Sequence, residues 1–83
     1  MFNINFIDQN LNQYDFAQFA ITNEETPLEQ LAYALDVLYG LTPFNKTWQT
    51  TLTNHRSALF SNEDTLALVT VSDDGKEFTV MTC

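Results

Sequence analysis

The stretch "TPLEQLAYALDVLYG", Thr26 to Gly40, constrains the fold most, because it carries its own start and stop. Thr26 offers the hydroxyl of an N-cap. Pro27 suits the first helical position, where no amide hydrogen is needed, and Glu29 stands three residues after the cap, as a capping box requires. Gly40 supplies a left-handed exit and Pro43 blocks continuation. The spacing therefore predicts a helix from Pro27 to about Tyr39. Leu28, Leu31, Ala32, Leu35, Leu38 and Tyr39 recur at helical spacing and form one apolar stripe that needs a partner layer. Glu29, Tyr33 and Asp36 line up on the other side.

Strands supply that layer. "FNINFI" alternates Phe2, Ile4 and Phe6 against Asn3, Asn5 and Ile7, the period of a half-buried strand. "NLNQYDFAQFAIT" reads two ways: a helix through Leu11, Tyr14 and Phe19, or a strand with Phe16 and Gln18 on one side. In "FNKTWQTTLTNHRSALF" the threonines and the recurrence of Phe44, Trp48 and Leu52 favour one or two strands, although Trp48, Leu52 and Leu59 nearly fit a helix. "SNED", residues 61–64, reads as a turn. "TLALVTV" and "EFTVMTC" then flank "SDDG", where Asp74-Gly75 predicts a type I′ hairpin turn. Leu66, Leu68, Val69, Phe78 and Val80 are expected to close the core. The acids Asp73, Asp74 and Glu77 read as turn chemistry around Gly75, partly offset by Lys76. With 83 residues there is room for one domain, 1–83. The expected fold is α+β: a small antiparallel sheet with a C-terminal hairpin, packed against one or two helices.

Charge is the next constraint. Eleven acids stand against Lys46, Arg56 and Lys76, a net charge of −8. From Met1 to Asn45 no lysine or arginine occurs, whereas Asp8, Asp15, Glu24, Glu25, Glu29 and Asp36 all do. Three bases neutralise too few phosphates for direct nucleic-acid binding, and the same field disfavours an anionic membrane. A basic protein partner is favoured. The plainer reading is a solvated acidic surface that serves solubility, and acids before and within the first turn of a helix are also favoured by its dipole. The dipole does not account for forty-five residues without a base. No apolar run approaches the roughly 18 residues of a membrane span. The start lacks the basic and apolar segments of a secretory leader, and one cysteine, Cys83, allows no internal disulfide. A cytoplasmic protein is expected.

Catalytic chemistry finds little support. His55 is the only histidine, so a histidine metal cluster is unavailable, and two glycines cannot make a phosphate-cradling loop. The acid pairs Glu24-Glu25, Glu63-Asp64 and Asp73-Asp74 do acid–base work only where burial separates their pKa values. Neither "SNEDT" nor "SDDGKE" has the ligand spacing of a calcium loop. No enzyme activity, cofactor or metal is expected.

The residues Ala67, Leu68 and Val69, then Gly75, then Met81, with the polar turn "SDDG" between them, resemble the end of the phage uracil-DNA glycosylase inhibitor family. That family consists of acidic DNA mimics of nearly this length. The resemblance implies helical material followed by an antiparallel sheet, an acidic edge strand set into the DNA groove of the enzyme, and an apolar pocket around one of its side chains. The Gln-Glu-Ser sequence of that family's functional strand is missing here, so its role passes to no particular residue. Small acidic inhibitors of CRISPR effectors have the same general character.

These lines converge on a phage or mobile-element inhibitor that blocks the nucleic-acid groove of a host protein. DNA carries one charge per roughly 1.7 Å, and Glu29 and Asp36 lie about 10 Å apart on a helix rising 1.5 Å per residue. The expected contact residues are Asp15, Glu24, Glu25, Glu29 and Asp36, with Tyr33 as an aromatic anchor. The alternative is an adaptor or immunity-type protein that binds one partner through an apolar patch, with Tyr33, Tyr39 or Trp48 at its centre.

Overall fold

The computed structural model describes residues 1–20 and 26–82. Strands β1 (Phe2–Ile7) and β2 (Gln13–Phe19) precede helix α1 (Pro27–Tyr39). A two-residue strand β3 (Thr42–Pro43), helix α2 (Trp48–His55) and strands β4 (Ser57–Ser61), β5 (Leu66–Val71) and β6 (Glu77–Thr82) follow. The strands form one sheet in the order β2-β1-β6-β5-β4-β3. It is antiparallel except between β1 and β6, the first and last strands, which pair in parallel. The fold is α+β, as the sequence indicates.

Both helices cover the same face of this sheet. Phe2, Ile4 and Phe6 of β1, Phe78 and Val80 of β6, Ala67 and Val69 of β5, and Ala58 and Phe60 of β4 point inward by the period of two. They form one cluster with Leu31, Ala34 and Leu35 of α1 and with Trp48 and Leu52 of α2. Aromatic pairs tie the layers: Trp48 meets Phe60 edge-on with centroids 5.1 Å apart, and Phe6 lies 4.5 Å from Tyr39.

The caps of α1 act as the sequence predicts. The Glu29 amide donates to Thr26 Oγ1 at 3.2 Å. Gly40, at φ +65°, ends the helix, and its amide reaches Asp36 O at 2.8 Å. The Leu41 amide bonds Leu35 O at 3.2 Å, which folds Leu41 back into the core. The buried stripe differs in one member: Leu38, in the last turn, is 50% exposed, and Ala34 and Leu41 fill that part of the core instead.

Three other expectations change. The segment after Pro43 forms helix α2 before strand β4, because Trp48 and Leu52, one turn apart, both bury against the sheet. On β5, Leu66 and Leu68 face outward and Ala67 and Val69 face the core. Pairing of Val69 with Val80 and of Val71 with Phe78 fixes that parity. The hairpin turn is not type I′. Only Gly75 has positive φ (+72°); the bond from its amide to Ser72 O (3.0 Å) closes a turn over Asp73 and Asp74, and the Ser72 amide bonds Glu77 O. The ambiguous segment 9–21 is strand at β2, with Phe16 and Gln18 on one face. No described helix is long and apolar enough to cross a membrane.

Candidate protein-binding surface

On α1, residues four apart share a face. Glu29, Tyr33 and Asp36 occupy the face opposite the buried stripe, and all three are exposed. Val37 lies beside them, one turn beyond Tyr33. Tyr33 is 69% exposed, so its ring packs on nothing that hides it from a partner. The helix carries no basic residue, and the side chains of Glu29 and Asp36 take part in no hydrogen bond or ion pair among the described residues.

Asp15 has a different setting. It lies on β2, which is an edge strand. A bulge sets Tyr14 and Asp15 together opposite Phe6, and Gln13 opposite Ile7, so both residues reach toward the C-terminal end of α1. There the Tyr39 hydroxyl donates to Asp15 Oδ2 at 2.6 Å, and the Phe16 amide donates to Asp15 Oδ1 at 2.8 Å. The bond from Tyr39, and then that from the Phe16 amide, hold the Asp15 carboxyl below its usual range. Burial, and next the bond to Asp15, push the Tyr39 phenol well above the usual tyrosine range. Asp15 thus anchors the edge strand to the helix end.

Of the expected contact residues, then, Glu29, Tyr33 and Asp36 share one exposed helix face and Asp15 sits near its far end. Glu24 and Glu25 lie outside the described residues. Tyr39 and Trp48, the anchors of the alternative, serve structure: Trp48 is buried and Tyr39 is half-buried and tied to Asp15.

The remaining acids divide by their surroundings. At the hairpin tip Asp74 accepts from the Ser72 hydroxyl and, at 2.9 Å, from the Lys76 amide. The Ser72 contact chiefly lowers its pKa. Arg56 Nη1 donates to Ser72 O at 2.9 Å and lies 3.6 Å from Asp73 Oδ1. Arg56 also borders a cavity of about 430 Å³ with Thr26, Leu28, Val71 and Phe78. Its guanidinium is already engaged, and the Ser72 hydroxyl, which also lines the cavity, is tied to Asp74 within the hairpin turn. Among the described residues no three His, Cys, Asp or Glu side chains are grouped to hold a metal.

Sequence reasoning missed one surface. The uncovered face of the sheet carries Leu59, Leu66 and Leu68, each more than a third exposed. Its signal, cross-strand register, is not present in any single strand. No protein-family model, no curated protein and no solved structure matches the chain.

Proposed function

We propose that this chain is a small acidic inhibitor of phage or mobile-element origin, acting in the host cytoplasm. It occupies the nucleic-acid-binding groove of a host protein by charge and shape mimicry, the candidate targets being a uracil-DNA glycosylase and a CRISPR effector. One observation carries this reading: the exposed face of α1 presents Glu29, Tyr33 and Asp36 with no base and no local partner among the described residues. Carboxylates spaced along a rigid helix attract a basic groove and fix its register. Tyr33 adds a rigid amphipathic contact of the kind that anchors interfaces.

The test is the variant Glu25→Lys/Glu29→Lys/Asp36→Lys, assayed for inhibition of uracil removal from DNA and of DNA cleavage by a panel of CRISPR nucleases. Wild-type inhibition of at least one target, lost on reversal and weakened by salt, supports the mimic. Inhibition that survives reversal contradicts it.

A second reading has its own observation. Tyr33 and Val37 are both well exposed, one turn apart on the same face. An adaptor or immunity-type protein that binds through this apolar pair, with acidity serving solubility, binds equally well at high salt and fails on Tyr33→Ser.

A further inference from the structure

The two faces of the sheet are unequal. One is sealed by α1 and α2; no described element covers the other. On the open face the register sets four aliphatic side chains in one line across four strands. Ile7 of β1 pairs with Met81 of β6, Met81 with Leu68 of β5, and Leu68 with Leu59 of β4. Strands lie about 4.8 Å apart, so the line is about 14 Å long. Leu66 extends it on β5, while Leu68 is 38% exposed and Leu59 39%.

What borders this line differs on its two sides. Toward the hairpin tip runs a polar row, Asn5, Thr79, Thr70 and Ser57, also in register. Toward the opposite end lie Asp8, in the loop after β1, and Glu63 and Asp64, in the turn between β4 and β5. Arg56 and Lys76 precede β4 and β6 at the hairpin end, and Lys46 lies in the loop between β3 and α2. Hence the acid-bordered end has no basic residue in its own turns.

We infer that this open face is a second docking surface. Its occupant is a protein segment with an apolar ridge bordered by lysine or arginine, its ridge on Ile7, Met81, Leu68 and Leu59 and its cations toward Asp8, Glu63 and Asp64. Charge complementarity selects that occupant. A second copy of this chain brings a further net −8, and an anionic membrane is repelled by the same acids. An amphipathic helix of about ten residues, at 1.5 Å per residue, has the length of the line. Its apolar side chains recur at about the spacing of the strands. The surface lies across the sheet from α1, so this inference stands independently of the reading of the α1 face.

The test uses the full chain, labelled on its methyl groups and amides, and three synthetic peptides of about 14 residues. The first is an amphipathic helix with a leucine stripe bordered by lysine; the second has the same stripe bordered by glutamate; the third keeps the lysines and replaces leucine by glutamine. The first peptide is expected to shift the methyl signals of Ile7, Leu59, Leu68 and Met81. Leu68→Lys, at an exposed position that leaves the core intact, is expected to weaken it about tenfold or more. Asp8→Lys/Glu63→Lys/Asp64→Lys is expected to weaken it similarly. The inference is overturned if the first peptide causes no shifts at millimolar concentration or shifts only the α1 face. Equal binding by the glutamate or glutamine peptide also overturns it. So does a dimer in sedimentation that Leu68→Lys dissociates, which assigns the face to a second copy.

Discussion

At the hairpin tip, Asp73 and Asp74 sit among partners: a serine hydroxyl, a backbone amide and the Arg56 guanidinium. On α1, Glu29 and Asp36 carry the same charge and have no such partners among the described residues. The tip acids are explained by the turn they stabilise. The helix acids are explained only in part by their helix: Glu29 stands in the first turn, where the dipole favours an acid, but Asp36 is in the second half of α1, where the dipole opposes one. A carboxylate kept at an unfavourable helical position and left free is the feature a basic partner makes intelligible.

The contrast breaks most sharply under charge reversal. Glu29→Lys/Asp36→Lys is expected to reduce inhibition of the target roughly a hundredfold, as loss of close interfacial charge pairs does. Asp73→Lys/Asp74→Lys is expected to leave it within about twofold, since tip charges remote from the contact change mainly the approach. Equal effects would erase the distinction. Stability tests the other half. Gly75→Ala meets no nearby atom but must hold φ near +72°, so it is expected to cost about 1–2 kcal/mol without altering inhibition. Thr26→Ala removes the cap of α1 and is expected to cost about 1 kcal/mol, roughly 4–8 °C in Tm for a chain of this size.

The smallest effect concerns Asp15. Tyr39→Phe removes its main hydrogen bond, so the Asp15 carboxyl is expected to titrate closer to 3.8, followed by carboxyl-carbon NMR. The sign follows from linkage. A carboxyl held low in the folded state adds stability above its unfolded pKa, and that stability is lost as pH falls through the folded pKa. Wild type should therefore lose stability below about pH 4, and the variant less steeply there. An unchanged titration would mean that the tyrosine does not set this carboxyl.

Legibility tracked how local each determinant was. Helix α1 was readable because its cap, first-turn proline and exit glycine all lie within its own fifteen residues, and Phe2, Ile4 and Phe6 declared their face by alternation. Helix α2 was not, because threonines pull toward strand and only the burial of Trp48 on Phe60 decides for helix. The parity of β5 was hidden, since "LALV" is apolar on both faces and only pairing with β6 chooses between them. The same limit governed the candidate surfaces. Glu29, Tyr33 and Asp36 followed from helical spacing, whereas the Ile7–Met81–Leu68–Leu59 line is assembled by register across four strands.

Whether the α1 carboxylates stand in for nucleic acid is decided by competition. Uracil-containing DNA and guide-loaded CRISPR nucleases serve as probes, with inhibition by the wild-type chain measured along a salt series at several DNA concentrations. For at least one target, inhibition is expected to be competitive with DNA and to weaken steeply as salt rises. Inhibition that is non-competitive with DNA and indifferent to salt would contradict the mimic, as would no inhibition of any target at saturating protein.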